Sequence, residues 1–144
     1  MSTGVSDSGN RALIAGAFDA WAKGEGTVFD LLADDVVWTI TGTSPLAGTY
    51  RGRREFLATV IAPLSARLAE PILPTVEAVY ADGDTVVVVW SGHAVAHDGE
   101  AYDNRYCWIM RVESGKLAEV TAFFDAPTLA DLWARVTPPV QPEG

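Results

Sequence analysis

His93 and Asp125 are the side chains whose chemistry stands out first. An imidazole in the stretch "WSGHAVA" (90–96) titrates near neutrality and could give or take a proton. Asp125 closes "AFFD", and a carboxylate beside an apolar pocket can have its pKa raised and serve in proton transfer. Each also has a plainer reading. His93 could hydrogen-bond to a neighbouring strand, and Asp125 precedes "APTLADLW", where a helix wants an N-capping oxygen.

The stretch "YDNRYCWIMRVESGK" (102–116) adds a second set. On a strand, Tyr102, Asn104, Tyr106 and Trp108 share one face, and Asp103, Arg105, Cys107 and Ile109 the other. A buried amide needs partners for several hydrogen-bonding atoms, so Asn104 could hold a ligand carbonyl while the rings form walls. Core packing would explain the same pattern. Turning the other face inward would bury Asp103 and Arg105, which is costly unless they pair, so the aromatic face is expected inside.

Ser91 alternates with His93 and joins the binding set. Trp38 and Tyr50 flank the loop "TGTSPLAG" and are expected as ligand walls, since each ring combines apolar area with a polar handle. Arg51, Arg53 and Arg54 could attract an anionic substrate, or could simply be the solvated start of a helix. His93 and His97 would point to one side of a strand, but His97 falls at a turn and no third ligand lies nearby, so no metal is expected. No phosphate-binding glycine loop, nucleophile elbow or Cys–His pair is present, and no cofactor is expected.

The elements that must position these residues follow from hydrophobic periodicity. Leu13, Ile14, Ala17, Phe18 and Trp21 form two adjacent rows of an amphipathic helix starting near Asn10 and ending at "KGEG". Thr27 offers an N-cap to a short helix, "VFDLLA", and "DDVVWTI" follows as a strand. After a short extended piece at Tyr50, a third helix carries Phe56, Val60 and Leu64 on one face. Pro63 predicts a break near Ala62, with a second helical segment running to about Ala69. Beyond Pro71 and Pro74, turns at "DGD", "HDGE" and "ESGK" join four strands into an antiparallel meander. A terminal helix, "TLADLWARV", precedes a proline-rich tail.

Helices first and a meander last make an α+β arrangement, with a cavity between helices and curved sheet as the natural small-molecule site. The 144 residues fit a single domain, with an ordered core over about residues 10–136. Ten basic and nineteen acidic residues give a net charge of -9, which argues against nucleic acid as a partner. Cys107 is the only cysteine, so no intrachain disulfide forms. With no signal-peptide pattern and no apolar run near the ~18 residues of a membrane helix, a soluble cytoplasmic protein is expected. "VVVVW" (86–90) suggests a strand that buries one face in the core and the other in a homodimer contact.

This order of elements, filled by this sequence, resembles the NTF2-like superfamily and, within it, the SnoaL-like group. The resemblance is carried by "FDAWAKGEGTVFDLLADDVVWTITG", "SPLAGTYRGRREFL" and "YDNRYCWIMRVESGKLAEVTAFFDA", over residues 10 to about 135. It implies a cone in which a curved antiparallel sheet wraps around the N-terminal helices, with a C-terminal helix. The scaffold hosts isomerases, cyclases, dehydratases, epoxide hydrolases and binders. The catalytic positions of ketosteroid isomerases would fall at Ile40, near Gly16 to Phe18, and at Cys107. Those of limonene-epoxide hydrolases would fall at Val89, Ser91 and Ala122. Neither set can do its family's chemistry. SnoaL-type polyketide cyclases rely on a carboxylate in a hydrophobic pocket, for which Asp125 and His93 are the nearest candidates.

The resulting expectation is an enzyme that isomerises, cyclises or dehydrates a small hydrophobic molecule by acid–base chemistry. His93 and Asp125 would exchange protons, and Trp38, Tyr50, Ser91, Tyr102, Asn104, Tyr106 and Trp108 would bind the substrate. The alternative is a non-catalytic ligand-binding or dimerisation module.

Overall fold

A computed structural model describes residues 7–138, so the expectations for the two tails fall mostly outside it. Helix α1 (Asp7–Ala22) begins ahead of the expected Asn10. In its buried row Ile14, Phe18 and Trp21, the two rings pack against Trp90 of the sheet at 5.5 and 5.2 Å. The Thr27 hydroxyl accepts from the Phe29 N–H, and Asp30 Oδ2 accepts from the Thr27 N–H, a reciprocal cap that starts one 3₁₀ turn (Val28–Leu31). Strand β1 (Leu32–Ile40) follows at once, and β2 (Gly48–Arg51) pairs with it antiparallel.

Helix α2 (Arg53–Phe56), a π-helical turn (Leu57–Ile61) and α3 (Ala62–Ala66) run on without the break expected at Ala62. The π turn explains this. The Ala62 N–H reaches back to the Leu57 carbonyl, and the widened turn relieves the clash that the Pro63 ring would meet in a regular α-helix. The rod stops earlier than expected, with Arg67 as C-cap.

From Leu68 the chain is extended. Strand β3 (Leu68–Asp82) takes in Pro71 and Pro74, which were expected to lie outside any strand. An edge strand tolerates both, because its open side needs no donors. Strands β4 (Thr85–Ala96), β5 (Ala101–Glu113) and β6 (Lys116–Phe124) complete the expected meander, and α4 (Ala126–Arg135) closes the fold. At the β5–β6 hairpin Ser114 and Gly115 both take positive φ, 53° and 75°, as a two-residue type I′ turn requires.

The sheet order is β2-β1-β6-β5-β4-β3. It is mixed rather than wholly antiparallel, because β1 runs parallel to β6, with Trp38 beside Val120. Three register shifts bend β3 and help to curve the sheet. On the inner face Val86, Val88 and Trp90 of β4 and Tyr102 to Val112 of β5 alternate inward. Full burial of such an aliphatic side chain contributes about 1.5–3 kcal/mol. The outer face keeps apolar groups in solvent, with Tyr80 63% exposed, Ile109 40% and Phe123 43%. Among the described residues no helix is long and apolar enough to cross a membrane.

Candidate functional site

Between the inner face of the sheet and the α2–α3 rod lies a cavity of about 450 Å³, within the usual range for small-molecule sites. Its walls are mainly aromatic. Trp38 stacks on Phe56 at 4.2 Å, Trp90 stacks on Tyr106 at 4.1 Å, and Trp108 stands edge-on to both tryptophans at 4.9 Å. The exposed lining residues Asp30, Ser65, Ala69 and Pro71 mark the rim. Helix α2 contributes the half-buried Arg53.

One polar device sits inside. Tyr102 and Tyr106 are 2% and 7% exposed, and both line the cavity. The Tyr106 hydroxyl donates to the Tyr102 oxygen at 3.4 Å, and Asn104 Nδ2 donates to the same oxygen at 3.0 Å. Both acceptor positions of Tyr102 are therefore used, and among the described residues no protein acceptor takes its own hydrogen. Burial raises the pKa of both phenols above the ordinary 10.0, so they are neutral donors at pH 7. The Trp90 Nε1 is also buried without a hydrogen-bond partner, enclosed by the rings of Phe18, Trp21 and Trp108.

The structure separates the expected site residues into two groups. Trp38, Tyr102, Tyr106 and Trp108 line the cavity, with the aromatic face of β5 turned inward. His93 and Asp125 do not. His93 lies on the outer face, its side chain 66% exposed, with Nδ1 against Asp103 of the neighbouring strand. Asp125 is exposed and caps α4, its Oδ2 accepting from the Thr128 N–H at 3.1 Å and from the Thr128 hydroxyl. The expected pair is thus not part of the aromatic cavity: His93 and Asp125 border a separate outer groove together with Ser91, Asp103 and Thr128.

Three more assignments change. Ser91 is on the outer face, with its hydroxyl 3.4 Å from Glu77. The Tyr50 hydroxyl donates to the Leu46 carbonyl at 2.7 Å, so the ring braces the loop and is not part of the wall. Asn104 has no capacity left for a ligand. Its Nδ2 donates to Tyr102 and to the Asp125 carbonyl, and its Oδ1 accepts the N–H groups of Arg105 and Asp125. Cys107, Val89 and Ser91 lie on the outer half of the sheet, so the inward positions next to Cys107 are Tyr106 and Trp108.

Sequence reasoning raised Arg53 only as one of three arginines that could attract an anionic substrate, did not place it in the cavity wall, and missed Asp30. A signal for Arg53 existed, since it lies one turn before Phe56 on the Phe56–Val60–Leu64 face. Asp30 was hidden behind its own capping role. Among the described residues no group of three or more His, Cys, Asp or Glu side chains could hold a metal ion.

Residues 11–120 match the family defined as the SnoaL-like domain, and the chain belongs to that family. Among solved structures it is similar to an NTF2-like protein from Burkholderia thailandensis E264, with TM-score 0.70 and 23% identity over 86% of this chain and 96% of that one. It is likewise similar to an NTF2-like protein from Burkholderia xenovorans LB400, with TM-score 0.65 and 24% identity over 90% and 98% of the two chains. A third is TerC, co-crystallised with polyporic acid, with TM-score 0.68 and 18% identity over 85% and 96%. At these identities the likeness establishes the NTF2-like fold alone. A comparison with curated proteins finds no match.

Proposed function

We propose that this SnoaL-like domain binds a small, largely apolar carbonyl compound in the aromatic cavity and activates it without a cofactor. The Tyr102 hydroxyl carries this reading. Its oxygen is saturated as an acceptor by Asn104 and Tyr106, and its hydrogen is left for an oxygen on the ligand. In a buried aromatic site such a donor stabilises negative charge developing on that oxygen. Isomerisation, aldol-type cyclisation and dehydration can each pass through an enolate of this kind.

Asp30 is the one carboxylate lining the cavity and serves as the proton acceptor. The C–H bond next to the carbonyl breaks, its electron pair becomes part of a C=C bond, and the carbonyl π pair moves to the oxygen held by Tyr102. The proton on Asp30 then returns to carbon. That TerC has been crystallised with polyporic acid supports small-molecule occupancy of this scaffold.

Solvent-deuterium exchange into 2-tetralone, followed by proton NMR, tests the reading. The wild-type protein should accelerate exchange, Tyr102→Phe should lower the acceleration by about 10²-fold, and Asp30→Asn should also lower it. A second reading, binding without turnover, is favoured by the position of Asp30 at the rim and the absence of histidine from the lining. Binding of 2-tetralone with no faster exchange would select it.

The outer face of the sheet is proposed as a homodimer contact. Tyr80, Ile109 and Phe123 give it an exposed apolar centre. The ion pairs Arg105–Glu77 and Arg111–Glu119 lie on the same face and give the contact a polar margin.

A further inference from the structure

Arg53, Arg67, Arg111 and Arg135 are the half-buried arginines. Three are held by the protein. Arg67 donates to the carbonyls of Val136 and Pro63 and lies over the Trp133 ring. Arg111 pairs with Glu113 and Glu119, and Arg135 with Asp98. Arg53 differs: among the described residues its guanidinium has no hydrogen bond and no ion pair. It is also the only cation among the residues that line the cavity.

The chain has nineteen acidic residues against ten basic ones, yet among the described residues no carboxylate pairs with Arg53. Asp30 lines the same cavity, but its Oδ2 accepts the Thr27 N–H and forms no ion pair with Arg53. The neighbouring Arg51 and Arg54 are exposed and do not line the cavity, so the feature is not a general basic patch. A planar guanidinium presents a fork of donors matched to a carboxylate, and a half-buried one gains most from such a partner.

We infer that Arg53 receives the carboxylate of the ligand, which makes the ligand class an aromatic or alicyclic carboxylic acid. Its rings lie among Trp38, Phe56 and Trp108, its acid group meets Arg53, and a second oxygen meets Tyr102. This assignment rests on the reading that the cavity holds a small molecule.

The test is calorimetric titration at pH 7 with two probes of nearly equal shape, 2-naphthoate and the neutral ketone 2-acetonaphthone. Naphthoate should bind at least about tenfold more tightly to the wild-type protein. Arg53→Gln should abolish that preference while keeping the affinity for the ketone, which also reports that the variant is folded. Arg53→Lys should keep part of the preference, having the charge without the fork. Equal binding of the two probes, or a preference that survives Arg53→Gln, overturns the role of Arg53 and leaves the cavity reading standing. Failure of both probes to bind overturns the cavity reading and this inference with it.

Discussion

The Asn104 carboxamide holds the Asp125 backbone at two points, donating to its carbonyl at 3.1 Å and accepting its N–H at 3.0 Å. The same amide donates to Tyr102. One side chain therefore fixes both the start of α4 and the hydroxyl offered to the cavity. Asn104→Asp keeps the shape and removes the donors, setting a carboxylate oxygen against the Asp125 carbonyl. Stability should fall by about 1–3 kcal/mol, measured as a lower urea midpoint, and Tyr102-dependent exchange should fall with it.

Gly92 is needed for close packing. A Cβ there would lie 2.9 Å from the Ile72 Cγ2, 3.0 Å from the Trp90 ring and 3.1 Å from the Tyr106 ring. Ile72 can shift at the edge strand, but the stacked rings cannot both do so. Gly92→Ala should cost about 1–3 kcal/mol in a thermal melt and weaken binding of 2-tetralone.

The raised pKa values of Tyr102 and Tyr106 carry a sign. The folded state holds these phenol protons more tightly than the unfolded chain, whose phenols ionise at the ordinary 10.0. The stability they contribute is complete below pH 10 and is lost as pH rises through the higher folded values. Absorbance of phenolate at alkaline pH should therefore include a late step that coincides with loss of the circular dichroism signal. Complete ionisation while the fold stays intact would contradict the burial of this pair.

Phe123 sits across from Cys107 on the outer face, 43% exposed. Phe123→Asp should convert a dimer to a monomer in sedimentation velocity while leaving the circular dichroism spectrum unchanged. A wild-type protein that sediments as a monomer would remove the proposed contact.

Element order and the inward aromatic face of β5 were legible in the sequence, because alternation on a half-buried strand is a local signal. The placement of His93 was not drawn from it, although a clue existed. Paired residues across the β4–β5 hairpin have matching odd or even numbers, so His93 shares the face of Asp103 and not that of Tyr102. Expecting His93 in one cavity with Tyr102, Asn104, Tyr106 and Trp108 mixed the two faces. The partners of Asn104 were out of reach for another reason, since Asp125 lies on a different element and only the completed fold brings it near. The π turn before Pro63 was hidden similarly, because propensity at a proline predicts a break and says nothing of a widened turn that avoids one.

The parallel seam between β1 and β6 joins Trp38 to Val120, from opposite ends of the chain. Closing so long a loop costs entropy before any contact rewards it, and pairings of this kind slow folding. Trp38 and Ala122, both part of the cavity wall, come together only across this seam. A fragment that stops before Lys116 would lose β6, α4 and with them the Ala122, Phe124 and Leu129 part of the wall. The cavity wall thus draws on residues spread from Trp21 to Leu129.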